Sequence, residues 1–427
     1  MTATLAVDGP VPVLRPRSDR LDYLDATRAF ALVLGVVFHA SLSFLPTFIG
    51  WAVQDVSTGA SIGPFVTVIH AFRLEVFFLL AGFFGRRTFH RGGAGAFVGS
   101  RVRRIVVPFV LGWFLLRPAL GAEWAIGFAS MRGDADVGVG LAAAGDSLNA
   151  LPVGLFTGTH LWFLYYLVLI TALTLVGRIM FKVIAGGRVK PWARGIDRGV
   201  AWLARSRWGL PVLAGPTAGA LWPMRGWGVD TPDGSMQPHL PVLLIYGGFF
   251  AFGWLLGRQP AAMAEVARLT LTRGVTAALG LVGVVGLSGF QADPGHPHFG
   301  AAHVAFVVSY AWLMWSLVFL LIGGFKVCFQ RPRGWVRYVA DSSYWMYLIH
   351  LPIVVGLQIA IAEVSVHWSL KLGFISVVTI GVALASYDLM VRSTCVGALL
   401  NGRRRERVLG PWLWTFVAPA VGPGRLG

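Results

Sequence analysis

The chain has 427 residues, of which 56% are hydrophobic and only 13% charged, with a mean hydropathy of +0.68. Soluble domains run at about 45–50% apolar and about 25% charged, so a soluble fold is excluded and the length describes one membrane bundle rather than a string of domains. The 36 Lys and Arg outnumber the 19 Asp and Glu for a net charge of +17, which in this apolar context points to orientation in a bilayer, with no nucleic-acid partner expected.

A helix needs about 20 mostly apolar residues to cross the hydrocarbon core. In chain order the candidates are 27–47, 64–86, 103–121, 160–182, 208–224, 239–257, 272–290, 301–325, 341–362 and 369–391. The fold class predicted is therefore an all-α polytopic membrane protein of about ten transmembrane helices. The basic residues Arg15, Arg17 and Arg20 precede the first span, which holds Arg28 and His39 and no convincing small-residue cleavage site; it reads as a retained span rather than a cleaved signal. The fifth stretch, with Pro211, Pro216 and Pro223, is the most broken.

Lys and Arg concentrate in 1–26, 87–102, 183–207, 258–271, 326–340 and 392–427, whereas 122–159, 225–238, 291–300 and 363–368 carry only Arg132 and Arg225, with Lys371 just inside the last span. Cytoplasmic connections collect Lys and Arg, so both termini are expected in the cytoplasm. The chain divides into a tail (1–20), a transmembrane domain (21–395) and a basic C-terminal tail (396–427) that reads as a solvated patch. Connection 183–207 spaces its Lys, Arg and Trp as an amphipathic helix on an anionic leaflet would. Cys328 and Cys395 fall beside basic segments, have no paired metal-ligand spacing, and are expected to stay reduced thiols.

Ionisable groups inside spans are costly and so mark functional candidates. On the first span Arg28 and His39 are eleven residues apart, nearly three turns, which puts them on one face about 16 Å apart along the axis. Arg28 reads either as an interfacial anchor or as an anion holder; His39, deeper, is suited to accept a proton near neutral pH. The second span carries His70, Arg73 and Glu75, with His70 and Arg73 on one face at i,i+3 spacing and Glu75 pointing elsewhere; internal Arg–Glu pairing is the plainer reading. Arg101, Arg103 and Arg104 precede Pro108 and fit either positive-inside bias or a phosphorylated donor. In the ninth span Ser343, Tyr347 and His350 share a stripe. There is no His-Glu-x-x-His pair, Gly-x-Ser-x-Gly elbow or Walker loop, so metalloprotease, serine-hydrolase and ATPase readings lack support, and neither a metal site nor a bound cofactor is expected.

Together, Leu24-Asp25…Arg28…His39, His70-Ala-Phe-Arg73…Phe77-Phe78…Gly82, Arg101…Arg104…Pro108, His160-Leu-Trp162-Phe-Leu and Tyr344…Tyr347-Leu-Ile-His350…Pro352 resemble the membrane acyltransferase-3 family over about residues 20 to 400. Within it the chain looks most like the glucan-modifying branch, whose succinyltransferases act on periplasmic glucans, and Tyr387-Asp-Leu-Met-Val-Arg392 adds to this. Where that family has Phe-Phe-x-x-Ser-Gly, this chain has Phe77-Phe78-Leu-Leu-Ala81-Gly82, and Glu75 stands where related sequences commonly have proline. The resemblance implies an inner-membrane enzyme that moves an acetyl or succinyl group from cytoplasmic acyl-CoA, a co-substrate, to a hydroxyl of a periplasmic or cell-surface glycan. His39 would be the general base, and Arg28, counted with it as catalytic, would hold the CoA phosphates together with the donor-binding Arg101 and Arg104; His70, Arg73, Glu75, Trp162, Tyr347, His350 and Arg392 are further site candidates. A transporter is the competing reading, since intramembrane Arg, His and Glu also mark substrate and proton paths; a scaffold would tolerate their replacement. Acyl group, acceptor and oligomeric state stay open.

Overall fold

The computed structural model describes residues 21–131, 137–149, 159–226, 228–232, 236–331 and 333–409. The tail 1–20, residues 150–158 of the connection 122–159 and everything past residue 409 lie outside that set. Among the described residues there is no β-strand, and seven helical stretches are long and apolar enough to cross a membrane. The protein is an all-α, multi-pass membrane protein.

The first helix, α1 (Asp22–Ser41), carries both Arg28 and His39 and ends in a single 3₁₀ turn, Leu42–Phe44. One apolar stretch, Ile62–Ser130, is 69 residues long, far more than one crossing needs. It consists of α2 (Ile62–His70), α3 (Arg73–Arg101), a π-helical turn at Val102–Val106 and α4 (Val107–Ser130). Gly93, at φ 75°, bends α3 where a side chain would be strained. Two of the expected spans, 64–86 and 103–121, therefore sit in this one stretch.

The remaining elements are α5 (Val137–Asn149), α6 (Trp162–Ala185), α7 (Val189–Arg205), α8 (Gly209–Leu221), α9 (Leu240–Leu256), α10 (Pro260–Val266), α11 (Leu271–Gln291), α12 (Phe299–Cys328), α13 (Gly334–Ile361), α14 (Trp368–Ser386) and α15 (Cys395–Asn401). The helices α8 and α9 are short but apolar and correspond to the fifth and sixth expected spans. Helix α7 is the amphipathic segment: Val200 and Ala204 are buried while Trp192 and Trp202 are exposed.

The second span differs from expectation. His70 and Arg73 do not ride on one continuous helix; α2 stops at His70, Phe72 leaves the helical region (φ −139°, ψ −18°), and α3 restarts at Arg73. A helix start is the better place for this sequence, because it puts Glu75 in a first turn, where free backbone N–H groups and the helix dipole favour an acidic side chain. Broken backbone of this kind survives at membrane depth only when it is enclosed by protein or lines a cavity. Here His70 and Arg73 both line one.

Close packing fixes what surrounds that break. Helix α3 meets α9 through glycines: a Cβ on Gly82 would run into the Phe250 carbonyl oxygen, and one on Gly253 into that of Leu79. Such small-residue contacts let membrane helices approach backbone to backbone. The connection after α1 is pinned by a buried ion pair, Lys371 Nζ to Asp55 at 2.7 and 2.9 Å, with a third bond from Lys371 to the Ala362 carbonyl at 3.1 Å. The lone cation of the last span thus has a partner inside the protein.

At the other end, the segment that follows α15 is docked as far as Leu409 rather than free in solvent. Asp388 accepts from the amides of Val408 (3.1 Å) and Leu409 (2.8 Å), Arg405 pairs with Asp341 at 2.9 Å, and Arg392 Nε donates to the Glu406 carbonyl at 2.6 Å. A carboxylate buried to 0% exposure at Asp388 needs such donors, which composition alone does not reveal.

Candidate active site

A cavity of about 900 Å3 opens among α1, the α2–α3 break, α4, α6 and α13. Its deep wall is α1: Ala31, Leu32, Gly35 and Phe38 line it, with His39 in the last turn. Of the residues singled out from sequence, His39, His70, Arg73, Trp162, Tyr347 and His350 all line this space. Arg28, Glu75, Arg101, Arg104 and Arg392 do not.

Four histidines face the cavity in different ways. His70 Nε2 is 2.7 Å from the Val229 carbonyl, His160 Nε2 is 3.2 Å from that of Leu348, and His350 Nδ1 lies 2.8 and 3.1 Å from the carbonyls of Tyr347 and Met346. A carbonyl only accepts, so each of these ring nitrogens carries the proton and the neutral ring is fixed in one tautomer. The ring of His39 has no such bond. Its Nδ1 is buried without a partner among the described residues, its face stacks on Trp51 (centroids 5.7 Å, 17°), and its centroid is 5.3 Å from that of His350. His39 is therefore the histidine of the four whose ring nitrogens are not committed to backbone.

Arg73 is a buried cation in the cavity wall beside α1. Its guanidinium lies 4.2 Å from the Phe38 ring centroid, and Nη1 donates to the Gly35 carbonyl at 3.4 Å. It makes no ion pair with a carboxylate among the described residues. An unneutralised cation beside open acceptors, in a largely apolar cavity, is arranged to meet negative charge brought by something else. Tyr347 supports the wall by donating to the His160 carbonyl at 2.8 Å.

The arginines that do not line the cavity gather at the opposite helix ends. Arg28 sits near the start of α1 and donates to the Ala340 carbonyl at 3.0 Å; Arg101 ends α3, its guanidinium 4.9 Å from the Phe97 centroid; Arg104 packs against Gly402. Arg392 follows α14 and lies 3.7 Å from Asp388. Neither Arg101 nor Arg104 pairs with a carboxylate among the described residues. Glu75 is fully buried in the first turn of α3 but contributes nothing to the lining.

Sequence reasoning marked the connection 122–159 as one that covers a site or enters the membrane, but named none of the residues at the mouth of the cavity. Trp51, Arg117, Trp124, Asp146 and Asp230 line it, and four of these come from connections or from outside the expected spans, where no periodicity flags them. Burial pushes the Asp230 carboxyl above the usual carboxylate range. The one available signal was tryptophan just beyond a span end, which also fits ordinary interfacial anchoring.

The acyltransferase-3 family model, an acyltransferase domain, matches residues 21–388, which takes in every helix from α1 through α14. The chain belongs to the membrane acyltransferase-3 family. It is a multi-pass membrane acyltransferase. Among curated proteins it is similar to the glucans biosynthesis protein C of Escherichia coli K12 and of Escherichia coli O157:H7, each 26% identical over 412 residues, covering 94% of this chain and 99% of the relative. No solved structure matches the chain. The family's aromatic-glycine motif, Phe77 to Gly82 here, falls at the α3–α9 contact, where Gly82 serves packing.

Proposed function

We propose that this protein transfers an acetyl or succinyl group from cytoplasmic acyl-CoA to a hydroxyl of a periplasmic or cell-surface glucan, working in the cytoplasmic membrane with both termini inside. The observation that carries the reading is one face of α1: His39 stands in the cavity, the cavity continues down the helix past Gly35, Leu32 and Ala31, and Arg28 waits one turn farther. A donor with a phosphorylated head and a long thin arm suits that layout. Its phosphates meet Arg28, Arg101 and Arg104 at the basic end, and its thioester reaches the cavity.

In the reaction His39 takes the proton of the acceptor hydroxyl, whose oxygen bonds to the thioester carbonyl carbon. The oxyanion that forms faces the Arg73 guanidinium. The C–S bond then breaks and the leaving thiolate takes the proton from His39, so acylated sugar and free thiol leave with His39 restored. His350 and His160 present polar surface without competing charge, and His70 holds the connection at Val229 against the cavity.

The direct test supplies purified protein with acyl-CoA labelled in the acyl group and a linear glucan. Label recovered covalently on the glucan is expected. The broken α2–α3 helix is also a feature of transporters; glucan or anion uptake into vesicles with no acylated product would favour that reading instead. Orientation has its own test: a single-cysteine protein, with Gly295→Cys and both Cys328→Ser and Cys395→Ser, should react with an impermeant thiol reagent from the outer side, and labelling only after lysis would reverse the topology.

A further inference from the structure

The mouth of the cavity holds two indoles that the reaction above does not use. Trp51 lies nearly parallel to the His39 ring and meets Trp124 at 70° with centroids 5.2 Å apart. Both line the cavity, so together they form an angled apolar corner directly beside the general base. Both indoles are also hydrogen-bonded: Trp124 Nε1 donates to the Gly50 carbonyl at 3.4 Å. Trp51 Nε1 donates to Gln358 Oε1 at 2.9 Å, and the same amide's Nε2 donates to the carbonyls of His39 (3.0 Å) and Ala40 (3.1 Å). Gln358, 1% exposed, therefore ties the corner to the end of α1 through one rigid group.

That shape matches a particular chemistry. A pyranose ring has a flat face of C–H groups and a rim of hydroxyls; the C–H face packs on the electron-rich face of an indole, and the rim needs a few fixed polar partners. Arg117 and Asp230 line the same space and supply a donor and a carboxyl. An acyl chain or the thin arm of the donor has no ring face and gains little from an angled corner.

We infer that Trp51, held by Gln358, and Trp124, packed against it, are the subsite that receives the pyranose ring to be acylated, and that they select ring sugars over open-chain polyols. The inference rests on the acceptor reading given above and deepens it. An open-chain polyol offers no fixed apolar face and loses more rotational freedom on binding, so the corner discriminates against it although both carry hydroxyls.

The test omits the donor. Full-length protein in nanodiscs is dialysed against a tritium-labelled linear gluco-oligosaccharide, with glucitol and unlabelled oligosaccharide as competitors. Wild type binds, Trp124→Ala and Trp124→Leu bind about tenfold more weakly, and Trp124→Phe, which keeps an aromatic face, recovers most of the affinity. Leucine keeps apolar bulk without that face, so it separates stacking from filling. Unchanged affinity in Trp124→Leu, competition by glucitol equal to that of the sugar, or no binding by wild type overturns the inference. So does a Trp124→Leu protein whose KM rises for the donor and not for the acceptor. Oligosaccharide binding that depends on Trp124 in a protein that never transfers label from acyl-CoA would sink the proposed reaction and leave the subsite standing.

Discussion

The two ends of the bundle spend their polar groups differently. At the cavity end, the His39 ring makes no bond to a backbone carbonyl, and Arg73, which donates one long bond to the Gly35 carbonyl, pairs with no carboxylate among the described residues; the space in front of them is open. At the basic end most charges are already engaged: Arg28 with Ala340, Arg337 with Asp22 at 3.3 Å, Arg392 with Asp388 and Glu406, Arg405 with Asp341. The difference separates arginines that hold the fold from groups free to act. It also sets Arg101 and Arg104 apart from the carboxylate-paired arginines of that end, because neither gives up a carboxylate in turning to a donor phosphate.

The largest expected effect lies at the cavity end. Loss of a positioned acid–base group costs about 10²–10⁴-fold in rate, so His39→Ala should give a folded, inserted protein that still binds acyl-CoA and transfers almost nothing. His39→Gln, which keeps hydrogen bonding without the proton acceptor, should be equally impaired in single-turnover transfer. Near-normal transfer by His39→Gln would move the base to another of the cavity histidines and erase the distinction drawn for His39.

Next comes Arg73. Removing one group that faces a developing oxyanion costs about 10²–10³-fold in kcat, and Arg73→Gln should show a loss of that order with little change in acceptor KM. A change confined to KM would make Arg73 a binding residue and weaken the contrast between an acting end and a holding end.

The smallest effect belongs to the basic end. Arg104→Ala should raise the apparent KM for acyl-CoA about tenfold, the loss of one charge-assisted phosphate contact, and leave acceptor dependence alone. Arg405→Ala, which removes an arginine already paired with Asp341, should instead lower thermal stability with a smaller change in donor KM. Equal donor effects from the two variants would mean that ion pairing at this end does not predict which arginines meet the donor.

Much of this was legible in the sequence. Apolar runs of bilayer length fixed the class, because each spanning segment must satisfy its own backbone bonds and so must be helical. Intramembrane charge pointed to His39, His70, Arg73 and His350, since a bilayer does not tolerate such groups idly. Helical periodicity correctly put Arg28 and His39 on one helix, eleven residues apart. Four things needed the tertiary structure. The break between His70 and Arg73 depends on where Val229 and Gly35 offer partners. The division of arginines into paired and unpaired depends on carbonyls and carboxylates from helices distant in sequence, such as Ala340 for Arg28 and Asp341 for Arg405. The docking of the segment after α15 depends on a buried Asp388. The mouth of the cavity brings Trp51, Trp124 and Gln358 together across 307 residues of chain, and no local pattern encodes a contact made only when α1, α4 and α13 pack side by side.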